Sequence, residues 1–425
     1  MLEEILDRRN IERALVQVER NKGAAGVDEM QWDALRPYVN ENWQCLRMNI
    51  LEGKYEPDPV RKVEIDKPQG GKRALGIPTV VDRMLGQAIA QWLMYRCDSS
   101  FSKRSYGFRP NCNTHQAVLQ THQYLKEGKE WVIELDLENF FDKINHDRLM
   151  STLAKRITDK RILKLIRSYL TSGIMEGGII SPRSEGSPQG SPLSPILSNI
   201  VLDELDKELE KRGLAFVRYA DDVSIYVKSE TAAKRIKAGI TQYIEQKLLL
   251  KVNHGKTKIS RPEESNLLGF SFRKPKLKEW TIVIARKSVE RVIKRCKEIT
   301  KRNSPLSEKE RIGRLNKILV GWVNYFVIAK DYTTLSRMDG SIRMRLRMCL
   351  WKQWKNAKTR RKNLLKLGIN RRTAIEHSYT YKGYHRTAVS WTLNTALPNE
   401  YFSKKGYIGF RHHQYLRTGK QKTLF

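Results

Sequence analysis

Apolar positions along the chain switch between a helical rhythm and a strict alternation. Ile5, Ile11, Ala14, Leu15 and Val18 recur at helical spacing, so residues 1–60 read as helices joined by turns. A turn with two glycines, 21–28, breaks that pattern. Residues 59–65 alternate like a strand, 67–73 turn, and 74–78 resume, which is a hairpin with cations around its tip. A buried helix carries Met84, Leu85, Ala88, Ile89, Trp92 and Leu93, and another helix, about 114–126, stops at Gly128. In the strand 131–138 a period of two sends Glu134, Asp136 and Glu138 to one face, with Ile133, Leu135 and Leu137 on the other. Helices follow through Tyr169, and 173–186 is a hairpin or loop. Three prolines within 187–195 bar a helix interior or central strand, so this is a shaped loop entering a helix at about 196–211.

The stretch 216–227 then places two adjacent acids, Asp221 and Asp222, at the bend of an apolar hairpin. Adjacent acids repel, so the bend is either a solvated turn or a site. A helix (232–248) and a hairpin strand (267–272) come next, followed by helical spacing over 287–300 and 308–328 with an aromatic cluster at 321–326. The run 343–362 holds nine Lys/Arg and no acid, interleaved with Trp351 and Trp354; as a helix it would lie along phosphates. Residues 363–425 have weak periodicity and read as a small appended domain or ordered tail.

Charge changes this picture most. The 425 residues carry a net +34, which suits a polyanionic partner; an acidic membrane surface is the competing one. Residues 281–425 account for +26 of it, and the first 280 for only +8, which marks a domain boundary. No apolar run reaches the roughly 18–20 residues of a spanning helix, and no signal peptide is evident. The five cysteines are scattered without a Cys-x-x-Cys pair, so no zinc site or disulfide framework is indicated and a reduced intracellular protein is expected.

Asp136 on one strand and Asp221-Asp222 on a hairpin suit two divalent ions about 4 Å apart, which would supply the positive charge these acids lack. Mg²⁺ prefers such oxygen ligands. Lys67 and Arg73 would then hold an incoming triphosphate.

With these residues in view, the chain resembles the reverse transcriptases encoded by group II introns, the maturases. Six motifs occur in order: Lys-Pro-x-Gly-Gly with Leu-Gly-Ile-Pro-Thr, Tyr-Gly-Phe-Arg-Pro, the Asp136 strand, Ser-Pro-Gln-Gly-Ser-Pro-Leu-Ser-Pro, Tyr219–Asp222 and Leu-Gly-Phe. The cluster 321–326 resembles the thumb, or X, region of that family. The resemblance implies an α+β right-hand polymerase: fingers and palm over 1–280 with an extension at about 1–60, an α-helical thumb over 281–362, and a small basic DNA-binding domain over 363–425. It implies that Asp136, Asp221 and Asp222 ligate two Mg²⁺. Phe141 would exclude a ribose 2′-OH, Gln189 would line the nucleotide pocket, and Lys67, Arg73 and Lys256 would contact the triphosphate. Arg109 would support the template side of the fingers, Tyr219 the primer end, and Leu268-Gly269 the primer grip. Arg343, Arg347, Lys352, Lys355, Arg360 and Arg361 would contact nucleic acid.

Ser187 and Ser191 stand where this family frequently has Thr and Gly, which bears on the pocket's shape rather than its charge. No Cys-pair/His nuclease module follows, as in the endonuclease-lacking class C-like members. The implied activity is RNA-directed DNA polymerisation from dNTPs, an RNA template and a DNA primer, together with binding of intron RNA for splicing and retrohoming into target DNA. The expected setting is the bacterial cytoplasm, in ribonucleoprotein or at the nucleoid, with no membrane; the oligomeric state is open. The competing readings are a free-standing reverse transcriptase serving defence or repair, and a maturase that only assists splicing.

Overall fold

The structure is a computed structural model and describes residues 1–66, 71–275 and 279–419. The chain divides into two compact units, Met1–Pro262 and Glu263–Phe425.

The first unit opens with helices α1 (Leu2–Ile5), α2 (Arg8–Asn21) and α3 (Leu35–Leu51). Asp7 starts α2 by accepting the Arg9 amide, and Ile11, Ala14, Leu15 and Val18 form its buried stripe. Strands β1 (Val60–Asp66) and β2 (Lys72–Ile77) pair antiparallel, with Asp66 opposite Lys72 next to the tip. Helix α4 (Val80–Cys97) is capped by Thr79, which accepts the Asp82 amide. Helix α5 (Thr114–Lys126) begins with a reciprocal cap between Asn113 and Gln116 and leads to β3 (Trp131–Leu135). Helices α6 (His146–Ala154) and α7 (Lys160–Thr171) precede the hairpin β4 (Ile174–Glu176) and β5 (Ile179–Ser181), and β4 joins β1 in parallel, giving a sheet of order β2-β1-β4-β5. Then come α8 (Ser194–Lys211), β6 (Ala215–Tyr219), β7 (Asp222–Val227), α9 (Glu230–Gln246) and β8 (Lys258–Ser260).

The second sheet has the order β6-β7-β3-β8 and is antiparallel throughout. Its two faces differ because side chains alternate along each strand. Ile133, Leu135, Phe216, Val223, Ile225 and Val227 share one face and one continuous apolar core with α8 and α9 residues such as Leu202, Leu205, Ile240 and Ile244. On the opposite face Tyr226 meets α5: its hydroxyl lies 2.9 Å from that of Thr121, and its ring 5.5 Å from that of Tyr124. Further along this face the residues become acidic.

The second unit starts with the hairpin β9 (Phe270–Arg273) and β10 (Thr281–Ile284), then helices α10 (Arg286–Ile299), α11 (Glu308–Tyr325) and α12 (Tyr332–Gln353). It ends in α13 (Ala357–Lys366), α14 (Arg371–Ser378), α15 (Tyr384–Ala388), α16 (Trp391–Ala396), α17 (Asn399–Lys404) and α18 (Phe410–Thr418). Two boundaries differ from the pattern of the sequence. Charge changes character after residue 280, whereas packing divides the chain at 262/263, so β9 groups with the basic unit. The basic run 343–362 is not one helix: α12 ends at Gln353, Lys355 adopts φ +26°, and the Asn356 side chain caps α13 by accepting the Thr359 amide. All five cysteines are free. No helix among the described residues is long and apolar enough to cross a membrane.

Candidate active site

The β3–β7 register pairs Leu135 with Val223, so one step further along both strands sets Asp136 beside Asp222 on the acidic face. Tyr219 pairs with Asp222 across β6 and β7, which leaves Ala220 and Asp221 as a two-residue turn. The three acids therefore line one cavity, reached from a strand end and a tight turn. Glu134, two residues back on the same face, is paired with Lys258 at 3.0 Å.

The electrostatics are those of crowded like charges. Asp222 opens onto a cavity, yet its carboxyl is pushed up to about 6, first by loss of water and then by the charges of Asp221, Asp136 and Glu134. Asp136 is also raised by desolvation, with Lys256 opposing the shift and Asp221 adding to it. The Lys256 ammonium stands 3.9 Å from Asp136 Oδ2. The Asp136 backbone is fixed from both sides: its amide donates to Thr257 Oγ1 at 3.1 Å and its carbonyl accepts the Asn253 amide at 2.8 Å.

The acids line a cavity of about 990 Å³ in the first unit, whose walls include Arg73, Phe141, Gln189 and Lys256. The loop 187–195 forms one wall. Gly190, at φ +127°, lies so close to β2 that a Cβ would come within 2.7 Å of the Gly76 carbonyl oxygen. The Gly76 amide donates to the Gln189 carbonyl at 2.9 Å, and the Gln189 side chain donates to Asp142 at 3.3 Å. Phe141 is half-buried with its ring edge-on to Phe140, and its carbonyl accepts the Ser187 amide at 2.7 Å. Ser187 is itself buried, its hydroxyl 2.6 Å from that of Ser194. Arg73 is exposed on β2 at the cavity. Lys67, the other cation expected at the hairpin tip, lies outside the described residues.

Other expected site residues sit elsewhere. Arg109 is engaged internally: it bonds Asp98 Oδ1 at 2.7 Å and donates to the carbonyls of Asp98 and Ser105 at 2.9 and 3.0 Å. These bonds tie Arg109 to the loop that carries Gly107. Tyr219 is half-buried at the end of β6. In the second unit, Leu268 and Gly269 both adopt positive φ, +53° and +87°, and the Leu268 carbonyl accepts the Tyr325 hydroxyl at 2.8 Å. They line a pocket of about 640 Å³ with Arg291, Arg295, Lys317 and Trp322.

The basic residues expected to contact nucleic acid are of two kinds. Lys352, Lys355 and Arg361 are exposed, and Arg343 is half-buried. Arg360 lies over the Trp351 ring at 4.6 Å, and Lys352 over Tyr384 at 5.6 Å. Arg347 is a correction. It is buried, donates to the Leu397 carbonyl at 2.9 Å and stacks over Phe402, so it ties α12 to the segment after α16 rather than offering a surface cation.

Residue patterns alone missed several members of the site. Lys72 faces the cavity while pairing with Glu64 at 2.7 Å, and Phe108 and Asn253 line it as well. Arg218 lies buried behind the turn rather than at the cavity: an arginine in the apolar strand 215–219, at a position that alternation sends to the core side, is a signal in itself.

The donor set around the turn is made of hard carboxylate oxygens, the ligands that a hard divalent ion takes. Among the described residues no group of three or more His, Cys, Asp or Glu side chains is drawn together as a ready cage. The family described as reverse transcriptase (RNA-dependent DNA polymerase) matches residues 65–272, and the group II intron maturase-specific domain matches residues 289–368. Protein YkfC of Escherichia coli is 34% identical over 279 residues, covering 56% of this chain and 73% of that protein. The group II intron-encoded protein LtrA of Lactococcus lactis is 34% identical over 199 residues, 47% of this chain and 33% of LtrA. A putative COX1/OXI3 intron 2 protein of Saccharomyces cerevisiae is 36% identical over 176 residues, 41% of this chain and 20% of that protein. The chain thus spans most of the first relative but only a third or less of the other two.

Proposed function

Because this chain belongs to the reverse transcriptases of the group II intron maturase family, we propose that it is an RNA-directed DNA polymerase that binds its intron RNA, promotes splicing and copies the intron into DNA at a target site. One observation carries the polymerase reading: Asp136 and Asp222 share a face, with Asp221 in the turn between β6 and β7, at the wall of a cavity that also holds Arg73, Gln189 and Lys256.

Asp136, Asp221 and Asp222 would hold two divalent ions, Mg²⁺ in this reading. When bound, the ions supply the positive charge that favours the attacking primer hydroxylate and the departing pyrophosphate. The chain's own residues do the rest. Arg73 and Lys256 neutralise the triphosphate of the incoming dNTP. Gln189, braced by Asp142, orients the nucleotide against the loop. The Phe141 ring occupies the space a 2′-hydroxyl would need, which favours deoxyribonucleotides. Tyr219, next to the turn, supports the primer end. The pocket at Leu268 and Gly269, with Arg291, Arg295 and Lys317, suits the sugar-phosphate backbone of the product duplex. The exposed cations Lys352, Lys355 and Arg361 suit intron RNA, and the helices after α13 suit target DNA.

The test is primer extension with dNTPs on an RNA template in Mg²⁺. Asp221→Ala is expected to lose extension while RNA affinity, read by filter binding, stays within twofold of the unmodified chain. Extension that survives the substitution would remove the site from the proposal. Loss of both together would mean that the residue holds the fold rather than the chemistry.

A further inference from the structure

The turn that carries Asp221 is under a constraint that the acids themselves do not explain. Ala220 sits at φ +57°, a left-handed conformation that its Cβ disfavours. A two-residue hairpin commonly fills such a position with glycine or asparagine. Beneath the turn lies an ion pair with no exposure on either side, Arg218 and Asp206. Arg218 Nε and Nη2 reach the Asp206 carboxylate at 2.8 and 2.6 Å. Its Nη1 donates at 2.9 Å to both the Asn199 side chain and the Ala220 carbonyl. Asn199 in turn donates to the Gly107 carbonyl at 3.0 Å. Gly107 packs so tightly on the turn that a Cβ there would strike the Ala220 amide and lie 2.9 Å from the Tyr219 carbonyl carbon. Strand β6 is also laced to the same loop, since Arg218 bonds the Arg104 carbonyl and the Tyr106 amide through its backbone, each at 2.9 Å.

A buried ion pair is a poor device for stability alone, because apolar groups of similar volume fill the same space as well or better. What apolar groups lack is the forked set of donors that reaches a carboxylate, an amide oxygen and a backbone carbonyl at once. The carbonyl it reaches belongs to the peptide that joins Ala220 to Asp221. We infer that Arg218 is a positioning residue for the acidic turn: anchored by Asp206 and Asn199, it holds the Ala220–Asp221 peptide against its conformational preference and so sets where the Asp221 carboxylate stands. This rests on the reading of Asp221 as a catalytic acid, and it adds a supporting group that touches neither nucleotide nor metal.

The experiment separates position from stability. In the full chain, the double variant Arg218→Met with Asp206→Leu replaces the pair by apolar groups of similar size. Steady-state extension on RNA template is then measured against dNTP concentration, beside thermal unfolding and RNA binding. The expected result is a kcat reduced at least tenfold with KM for dNTP and RNA affinity within twofold of the unmodified chain. Adding Ala220→Gly, which removes the Cβ that disfavours the turn, is expected to recover part of the lost kcat. A double variant with unchanged kcat would overturn the inference even while Asp221→Ala is inactive, so its failure is distinct from failure of the polymerase reading. Should the double variant not fold, Asn199→Ala keeps the ion pair and removes its link to the loop and the turn. A fall in kcat at unchanged KM then supports the inference, and unchanged kcat overturns it.

Discussion

The acids of the first unit and the arginines of the second put charge to different uses. Asp136 and Asp222 stand together on one sheet face, where loss of water and then repulsion push the Asp222 carboxyl up to about 6. Nothing in the packing asks for them there. In the second unit, by contrast, part of the basic surplus is internal. Arg347 donates to the Leu397 carbonyl, and the buried Arg311 donates to the carbonyls of Leu306 and Lys301 at 3.0 and 3.2 Å. A cation with five donors suits buried carbonyls left over where helices are connected. A net charge of +26 over 281–425 therefore overstates the phosphate-facing surface. The comparison teaches that crowded like charges mark the chemistry, whereas cations whose donors are taken up by backbone carbonyls mark the architecture.

That contrast can be broken most sharply in the second unit. Arg347→Ala leaves a buried carbonyl without a donor and removes packing on Phe402, so a loss of about 2–3 kcal/mol is expected by urea denaturation. Arg361→Ala touches an exposed residue and is expected to leave stability within about 0.5 kcal/mol. It should instead lower the slope of log affinity for RNA against log salt by about 1. Equal destabilisation by both substitutions would erase the distinction between internal and surface arginines.

The smallest effect is in the first unit and concerns pH. A folded-state carboxyl raised to about 6 binds its proton more readily than in the unfolded chain. Its contribution to stability is therefore present at low pH and is lost as pH rises through 6. Asp222→Asn should raise the Tm of the metal-free protein at pH 7.5 by about 2 °C, once water in the cavity is allowed for. The gain should vanish below pH 4, where the native carboxyl is neutral in both states. A substitution that lowers Tm at pH 7.5 would mean that the charged acid has a partner in the fold.

Much of this was legible in the chain itself. Helix α5 begins and ends where Asn113, Gln116 and Gly128 signal it, and alternation along 131–136 set Asp136 apart from the core. The hairpin of Asp221 followed from its apolar flanks. The break between α12 and α13 is hard to see in the chain, because no Gly or Pro interrupts 343–362; Asn356, a cap residue, is the one cue there. Arg109 and Arg347 show a second limit: residue type announces a cation, but only the fold tells whether its donors face carbonyls or solvent. Arg218 shows a third, since its partners Asp206 and Asn199 are brought to it by α8 and no spacing rule connects them.

The most direct test of the metal centre counts ions rather than products. Mn²⁺ binding is titrated, by electron paramagnetic resonance, to the full chain with an annealed RNA template, a DNA primer ending in a dideoxynucleotide and the matching dNTP. The account predicts two ions per assembled site, and at least one lost in Asp221→Ala with the template and primer still bound. Two ions retained in Asp221→Ala, at unchanged affinity, would contradict it.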